Sequence, residues 1–323
     1  MRPEMSRREA LQRAATTVGV GSIAGGMLAP RFVRAAENSP AAPGSLPFRF
    51  CLNTSTIRGQ GLPLMREVEL IGRVGYDAVE PWLSEITKHE QEAGSLADLR
   101  KAIADCGLTV ESAIGFAAWI VDDADARAQG LEQLKRDMDL VAQIGGTRIA
   151  LPPEGATDQS GFDLFKVAQR YHAALELGRQ MGVVPQLELW GFSKTLSRLG
   201  ELMFVAVESG HPDACLLLDV YHIYKGGSDF TGLRLIDGNA IHVLHMNDYP
   251  GTIPRDKISD ADRVYPGDGV APLGSILQHL VNAGFSGVLS LELFNRAYWQ
   301  QDSEVVLKEG LQKMRAAAAG IKA

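Results

Sequence analysis

From residue 48 onward, short apolar runs alternate with longer segments in which apolar residues recur every three or four positions. The short runs predict buried strands, and the longer segments predict amphipathic helices. A strand followed by a helix, repeated along the chain, is typical of a parallel sheet with helices packed on it. Strands are predicted at residues 48–57, 77–82, 109–115, 148–152, 184–190, 215–221, 241–247 and 287–294.

Helices are predicted between these strands and after the last one. Glycines follow several of them, as at Gly75, Gly107 and Gly182, and glycine supplies the left-handed conformation that commonly ends a helix. The helices are expected at residues 62–74, 96–106, 128–144, 162–181, 196–209, 273–283 and 304–321, with a weaker segment at 230–236. This alternation predicts an α/β fold, a (β/α)8 TIM barrel, over residues 48–321.

The first 36 residues differ in composition from the rest of the chain. Ser6-Arg7-Arg8 precedes a weakly apolar stretch rich in Ala and Gly, and small residues come before Glu37. This arrangement resembles a twin-arginine export signal at residues 1–36, and residues 37–47, with three prolines, are expected to form a linker. A periplasmic or otherwise exported protein that uses the twin-arginine machinery is therefore predicted. No stable membrane anchor is expected, because a membrane span needs about 20 apolar residues.

Composition excludes some classes of function. The net charge of −7 argues against a nucleic-acid surface, since contacts to phosphates need clustered Lys and Arg. The hydrophobic content of 46% suffices for a large core. Cys51, Cys106 and Cys215 have no metal-binding spacing and are expected to be core residues rather than disulfide partners. A small-molecule enzyme fits this composition, and a homo-oligomer remains open.

Four residues of types that commonly bind metals lie near the ends of four successive predicted strands. They are Glu188, Asp219, His245 and Glu292. A carboxylate among leucines is costly to bury unless it is paired or bound to a cation. Alternate residues of a barrel strand point inward, and barrel enzymes place their chemistry at the carboxyl ends of the strands. We therefore expect these side chains to converge at that rim and to bind one metal ion.

Two glutamates, one aspartate and one histidine make a site of mostly oxygen ligands. Such ligands favour Mn²⁺, with Mg²⁺, Co²⁺ and Zn²⁺ as alternatives. A divalent cation beside two carboxylates suits the isomerisation or epimerisation of a keto sugar, because the cation stabilises the enediolate that forms when a proton is removed. Glu188 and Glu292, on strands separated by two others, are predicted to be the catalytic residues that take and return this proton.

The segments around the four residues carry recognisable motifs: the Glu188 strand, Asp219-Val220-Tyr221-His222, His245-Met246-Asn247-Asp248, the loop from Arg263 to Gly269 and the Glu292 strand. Together they resemble the xylose-isomerase-like barrel superfamily, in particular the sugar phosphate isomerase/epimerase group. That group includes ketose 3-epimerases, hydroxypyruvate isomerase and inosose dehydratase. The resemblance covers most of the chain from residue 48 onward.

The resemblance implies roles for particular residues. In the ketose epimerases, the residues that match the four predicted ligands bind the metal, and the two matching glutamates also move protons. It further implies that His222 and Arg263 contact the substrate. Glu80 and Trp190, at the ends of the second and fifth predicted strands, are additional candidates for substrate contact. The chain departs from the family pattern by an insertion at residues 248–262, which is expected to overhang the site.

The same residues leave other functions open. An enediolate can expel a neighbouring group, so a lyase or dehydratase acting on 3-keto sugars, 3-keto-glycosides or inososes is the main alternative. A periplasmic sugar-binding barrel without catalytic activity would keep the pocket but would not need both glutamates. An endonuclease-IV-like repair enzyme is disfavoured, because the additional histidines and the basic cleft of that family are missing.

Overall fold

The structure is a computed structural model that describes residues 48–92 and 94–322. The predicted export signal at residues 1–36 and the linker at residues 37–47 lie outside the described residues. Within them, eight parallel strands lie in the order β3-β2-β1-β8-β7-β6-β5-β4. The strands are β1 (Arg49–Asn53), β2 (Ala78–Glu80), β3 (Thr109–Val110), β4 (Arg148–Leu151), β5 (Val184–Glu188), β6 (Leu216–Asp219), β7 (Ile241–Met246) and β8 (Val288–Leu291).

The two edges of this sheet meet. The backbone N–H of Ala150 in β4 donates to the carbonyl of Ala113, just after β3, at 2.9 Å. This bond joins the two edges, so the sheet curls round into a barrel, and the predicted α/β barrel fold is confirmed. Helices surround it: α1 (Leu64–Val74), α2 (Leu83–Gln91), α3 (Leu96–Asp105), α4 (Ala124–Gln143), α5 (Leu164–Met181), α6 (Leu199–Glu208), α7 (Val220–Lys225), α8 (Leu273–Asn282) and α9 (Ser303–Ala318).

Several predicted elements differ in extent. Strand β1 ends at Asn53, because the Asn53 side chain accepts a hydrogen bond from the Ser55 backbone N–H and starts a 3₁₀ turn over Thr54–Gln60. Strand β3 is two residues long. Helix α2 was not predicted, and the weak segment at 230–236 is a 3₁₀ turn, Phe230–Leu235, rather than an α-helix. The other 3₁₀ turns are Gly238–Ala240, Asp260–Asp262 and Tyr298–Gln300.

Side chains that point into the barrel form two layers. The lower layer is small and apolar and consists of Cys51, Ala78, Ile114, Ala150, Leu217, Val243 and Val288. The residues two positions further along several of the same strands are polar and fully buried, and include Asn53, Glu80, Asp219, His245 and Ser290. The polar layer therefore lies at the carboxyl ends of the strands, where barrel enzymes carry their sites.

The three cysteines have the burial expected of residues in or beside the core. Cys51 and Cys215 are buried, Cys106 is partly buried, and all three are free thiols, so the prediction of core cysteines is confirmed. Among the described residues, no helix is both long enough and apolar enough to cross a membrane.

Candidate metal and substrate site

The four predicted metal-binding side chains converge at the carboxyl end of the barrel. Glu188 and Asp219 are the last residues of β5 and β6, His245 lies near the end of β7, and Glu292 directly follows β8. The Nδ1 atom of His245 is 3.9 Å from a Glu188 oxygen, 3.6 Å from an Asp219 oxygen and 3.2 Å from a Glu292 oxygen. Asp219, His245 and Glu292 form the compact part of this cluster, and Glu188 lies at its edge.

The electrostatics of the cluster favour a cation. Burial raises the pKa of Glu188 to about 8; the charge of His245 opposes this rise, and the charges of Glu292 and Asp219 add to it. The His245 Nδ1 and Glu188 Oε2 atoms are buried without a hydrogen-bond partner among the described residues. Buried polar atoms of this kind are costly unless something binds them. A divalent cation would use both atoms and relieve the crowding of carboxylates, so the residues fit a metal ion.

Arg263 already brings one positive charge to the cluster. Its guanidinium donates hydrogen bonds to Asp219 at 2.9 Å and to Glu292 at 2.7 Å, and its side chain is 1% exposed. Burial lowers the pKa of Arg263, but the charges of Asp219, Asp260 and Glu292 outweigh burial and raise it. Carboxylate oxygens have several lone pairs, so a metal ion and the guanidinium can share them.

Glu80 lies behind His245 rather than at the cavity. One of its oxygens accepts hydrogen bonds from His245 Nε2 at 3.0 Å, Ser290 Oγ at 2.7 Å and Asn53 Nδ2 at 3.0 Å, and the residue is fully buried. A proton on Nε2 leaves Nδ1 free as a lone-pair donor that faces the other three residues. This position suits the orientation of His245 better than the substrate contact that the sequence suggests for Glu80.

Two asparagines to which the sequence analysis gave no role complete the network. Asn53 donates to Glu292 at 3.2 Å as well as to Glu80. Asn247 donates to Asp219 at 3.2 Å and accepts a hydrogen bond from the backbone of Tyr221. Asn53 is the last residue of β1 and Asn247 directly follows β7, and this position at the end of an apolar strand is a signal that could have identified them.

A cavity of about 380 Å³ opens above the cluster. Glu188 and Glu292 line it, whereas Asp219 and His245 are fully buried beneath it. Of the substrate candidates, His222, Arg263 and Trp190 line the cavity. The position of His222 is fixed by helix α7, because the Asp219 side chain caps that helix and accepts a hydrogen bond from the His222 backbone N–H at 2.8 Å.

One wall of the cavity is a continuous row of aromatic rings. The centroids of Phe294 and Trp82 are 5.9 Å apart, those of Trp82 and Phe116 5.1 Å, those of Phe116 and Trp190 5.9 Å, and those of Trp190 and Phe192 5.2 Å. These distances are typical of interacting aromatic pairs. Phe192 is 47% exposed at the cavity, although large apolar side chains are usually covered. We call this set, Phe294, Trp82, Phe116, Trp190 and Phe192, the aromatic row.

The insertion at residues 248–262 is fixed over the site, as expected from the sequence. Asp248 and Val264 pair as antiparallel strands would, which closes the base of the insertion. The Lys225 ammonium donates to three of its carbonyls at 2.7 to 3.2 Å. As a result Asp260 lines the cavity and pairs with Arg263. No pattern in the sequence identified Asp260, because it belongs to a loop without periodicity.

Comparison with known proteins agrees with this fold. The chain belongs to the xylose isomerase-like TIM barrel family, whose profile matches residues 68–317. An inosose isomerase of Halalkalibacterium halodurans is 33% identical over 134 residues, which is 41% of this chain and 47% of that protein. The chain thus matches less than half the length of that relative. An inosose isomerase of Bacillus velezensis is 24% identical over 80% of this chain and 93% of its own length.

A dehydratase is also among the relatives. The 3-dehydroshikimate dehydratase of Pseudomonas putida is 22% identical over 78% of this chain and 39% of its own length. Among solved structures, an IOLI protein with a bound zinc atom has a TM-score of 0.78 at 21% identity, covering 85% of this chain and 99% of that one. An L-ribulose 3-epimerase has a TM-score of 0.69 at 20% identity, covering 84% and 94%. Isomerases, epimerases and dehydratases therefore share this fold, and the chain belongs to a family of enzymes.

Proposed function

We propose that this protein is a divalent-metal-dependent enzyme that moves a proton at a carbon beside a sugar ketone, and so isomerises or epimerises the sugar. The observation that carries the proposal is the difference in position among the four residues of the cluster. Glu188 and Glu292 face both the cavity and the other cluster residues, whereas Asp219 and His245 are buried beneath them. This arrangement supports contact with substrate by Glu188 and Glu292 and metal binding alone by Asp219 and His245.

The two glutamates are held differently. Glu292 accepts hydrogen bonds from Asn53 at one oxygen and from Arg263 at the other, so its orientation is fixed. No hydrogen bond among the described residues holds the Glu188 carboxyl group, so the oxygen that a cation does not use is free to exchange a proton with substrate. The glutamates come from β5 and from the end of β8, with β6 and β7 between them. One glutamate can remove a proton and the other can return one to a different position.

The remaining groups bind and orient the substrate. His222 and Arg263 line the cavity and contact each other at 3.1 Å through His222 Nε2, and the two nitrogens that remain without a partner among the described residues, His222 Nδ1 and Arg263 Nε, can serve sugar hydroxyl or carbonyl oxygens. Trp190 offers a flat apolar face to the sugar ring. When bound, a divalent cation would polarise the ketone and stabilise negative charge on the oxygens of the substrate. Mn²⁺ fits the oxygen-rich ligand set, and the zinc atom bound by the IOLI protein makes Zn²⁺ its main competitor.

A lyase or dehydratase is the second candidate function. The dehydratase of Pseudomonas putida supports it, since that relative covers much of this chain. The same two glutamates would serve, because one removes the proton and the other protonates the group that leaves. Inososes, 3-keto sugars and 3-keto-glycosides each carry a ketone beside such a group.

Proton exchange tests both candidates. The protein is stripped with a chelator, loaded separately with Mn²⁺, Zn²⁺, Mg²⁺ or Co²⁺, and incubated in D₂O with free ketoses, inososes, 3-keto-glycosides and 3-dehydroshikimate. NMR then follows deuterium and products. We expect metal-dependent deuterium incorporation beside the ketone of at least one substrate. Rearranged sugar identifies an isomerase or epimerase, and an unsaturated product identifies a lyase. Binding without exchange, in every metal, would instead indicate the non-catalytic sugar-binding barrel.

We also propose that residues 1–36 direct export through the twin-arginine machinery to the periplasm. The support is the Ser6-Arg7-Arg8 sequence followed by a weakly apolar stretch. Changing Arg7 and Arg8 together to Lys should leave the protein in the cytoplasm, as measured by cell fractionation. Unchanged delivery would contradict this route.

A further inference from the structure

The Asn53 amide makes four hydrogen bonds beside the cluster. Its oxygen accepts from the Trp82 indole N–H at 2.9 Å and from the Ser55 backbone N–H at 3.0 Å. Its nitrogen donates to Glu80 at 3.0 Å and to Glu292 at 3.2 Å. Asn53 is fully buried, and these four contacts use the whole hydrogen-bonding capacity of its side chain.

Only one orientation of this amide satisfies its neighbours. The indole and backbone N–H groups can only donate, and ionised carboxylates can only accept. If the amide were turned over, its nitrogen would face two donors and its oxygen would face two carboxylates. A buried mismatch of this kind costs free energy, because every group involved has lost its water without gaining a partner. Trp82 and Ser55 therefore fix the direction in which Asn53 presents its two N–H donors.

One turn of the chain holds Trp82 from two sides. Asn53 ends β1 and caps the 3₁₀ turn Thr54–Gln60. Arg58 of that turn lies over the Trp82 ring, 3.5 Å from its centroid. Glu85 accepts the Trp82 backbone N–H at 3.1 Å and lies 3.7 Å from the Arg58 guanidinium. Trp82 is therefore fixed within the aromatic row by its backbone, by its indole N–H and by the cation on its face.

The position of the amide is compatible with a divalent cation in the cluster. Glu292 Oε2 is the oxygen that lies 3.2 Å from His245 Nδ1, and Arg263 donates to this same oxygen at 2.7 Å. Among the described residues, only Asn53 donates to Oε1, so the amide does not compete with a cation for Oε2. Asn53 is also uncharged. It therefore bridges Glu80 and Glu292 without cancelling the negative charge that binds a metal ion.

We propose that Asn53 is a positioning residue that couples the wall of the cavity to proton transfer: the Trp82 indole sets the amide, and the amide sets Glu292. A substrate that packs on the Trp82 ring then also restrains Glu292, so contact at the wall raises the rate of proton transfer and not only the affinity. The same amide holds Glu80, which orients His245. The proposal rests on the proposed function in giving Glu292 a proton to move, and it goes beyond that function in assigning Asn53 and Trp82 to this step.

Trp82→Phe tests the wall side of this coupling, because it keeps an aromatic face and removes the indole N–H. For the substrate that the proton-exchange assay identifies, we expect kcat to fall about tenfold and KM to change by less than about threefold. Trp119→Phe is the matched control. Trp119 is fully buried, does not line the cavity, and donates its indole N–H to the Pro152 carbonyl at 2.6 Å. This control should lower stability and leave kcat per folded molecule unchanged.

Asn53→Leu tests the carboxylate side, where Glu80 and Glu292 both lose a donor. Metal affinity, measured by competition with a chelator, should fall about 10–100-fold. Ser290→Ala is the comparison, because Ser290 donates to Glu80 at 2.7 Å and makes no hydrogen bond to Glu292. Saturating metal should restore turnover in Ser290→Ala, whereas Asn53→Leu should stay at least about tenfold slower than the wild-type protein. The visible spectrum of the Co²⁺-loaded protein, which reports ligand geometry without substrate, should change in Asn53→Leu and Trp82→Phe but not in Trp119→Phe.

Several results would overturn the proposal. Equal kcat in Trp82→Phe and Trp119→Phe, or a change in KM alone in Trp82→Phe, would show that the wall does not act on Glu292. Full recovery of Asn53→Leu at saturating metal would limit Asn53 to metal binding. Circular dichroism checks that each variant is folded, and if Asn53→Leu does not fold, the two tryptophan variants decide the outcome. If no substrate exchanges a proton, the proposed function fails, but an unchanged Co²⁺ spectrum in Trp82→Phe is still needed to contradict the coupling.

Discussion

The two layers of side chains inside the barrel differ in polarity although the same strands supply them. In β6 and β7, the lower layer has Leu217 and Val243, and the residues two positions further on are Asp219 and His245. All four are fully buried. The lower layer stabilises the barrel through apolar packing, whereas burial of the polar groups in the upper layer lowers the stability of the fold. The comparison teaches that positions only two residues apart on one strand can serve different purposes, one stabilising the fold and the other supplying groups for chemistry.

The upper layer is tolerated because most of its polar atoms have partners. One Glu80 oxygen accepts three hydrogen bonds, and Asp219 accepts from Asn247 and Arg263. Buried networks of this kind are stable when their members are satisfied. Among Glu188, Asp219, His245 and Glu292, the exceptions are His245 Nδ1 and Glu188 Oε2, which a bound cation would contact; the second Glu80 oxygen is also buried without a partner among the described residues.

The largest expected effect is on turnover, from changes at the cavity side of the upper layer. Glu292→Gln and Glu188→Gln each keep a side-chain oxygen but lose the group that carries a proton. Turnover should fall by about 10²–10⁴-fold, the usual contribution of acid–base catalysis. Steady-state rates measure the loss, and metal analysis should show that both variants still bind the ion.

Asp219→Asn is the companion to these two variants, because Asp219 has no assigned proton-transfer role. It should weaken metal binding, and excess metal should restore part of the activity. Near-native rates in both glutamine variants, with metal bound, would show that neither glutamate carries the proton.

The next largest effect should come from the lower layer. Leu217→Ala removes a fully buried side chain and leaves a cavity, which typically costs about 2–5 kcal/mol of stability. Chemical denaturation measures this loss of unfolding free energy. Activity per folded molecule and metal affinity should be unchanged, since Leu217 packs in the apolar layer below the site and is not one of the proposed ligands. A matching loss of metal affinity would mean that the two layers are not separable.

A smaller effect, on metal affinity, is expected from Glu80, the upper-layer residue whose carboxylate is hydrogen-bonded to His245. Glu80→Gln retains an oxygen for His245 Nε2–H but loses the negative charge, so metal affinity should fall about 10–100-fold. Competition with a chelator measures this affinity. Glu67→Gln is a suitable control, because burial raises the pKa of Glu67 to about 9 and this carboxyl is already mostly neutral near pH 7. Equal metal affinity in both variants would contradict a positioning role for Glu80.

Strand ends and inward parity were sufficient to predict that the four candidate side chains converge. Glu188 and Glu292 lie between leucines, and Asp219 and His245 follow apolar runs, so the alternation of a buried strand identifies their direction. Glu80 has the same direction, but the pattern gives no information about partners. Its contact with His245 joins residues 165 positions apart and can be seen only in three dimensions.

Loop residues were the least predictable part. Asp260 and Phe192 reach the cavity from loops, where neither helical nor strand periodicity applies. Helix α2 was missed because it follows a short strand directly and buries only two of its residues, Leu83 and Ile86. Such a segment carries a weak amphipathic signal.

The central claim is that Glu188, Asp219, His245 and Glu292 bind one divalent cation. Anomalous diffraction from crystals of the zinc-loaded protein tests it most directly. The account predicts one strong peak beside His245 Nδ1, with carboxylate oxygens of the other three residues at about 2.0–2.2 Å from the ion. A peak elsewhere, or no peak while Arg263 still bridges Asp219 and Glu292, would contradict it.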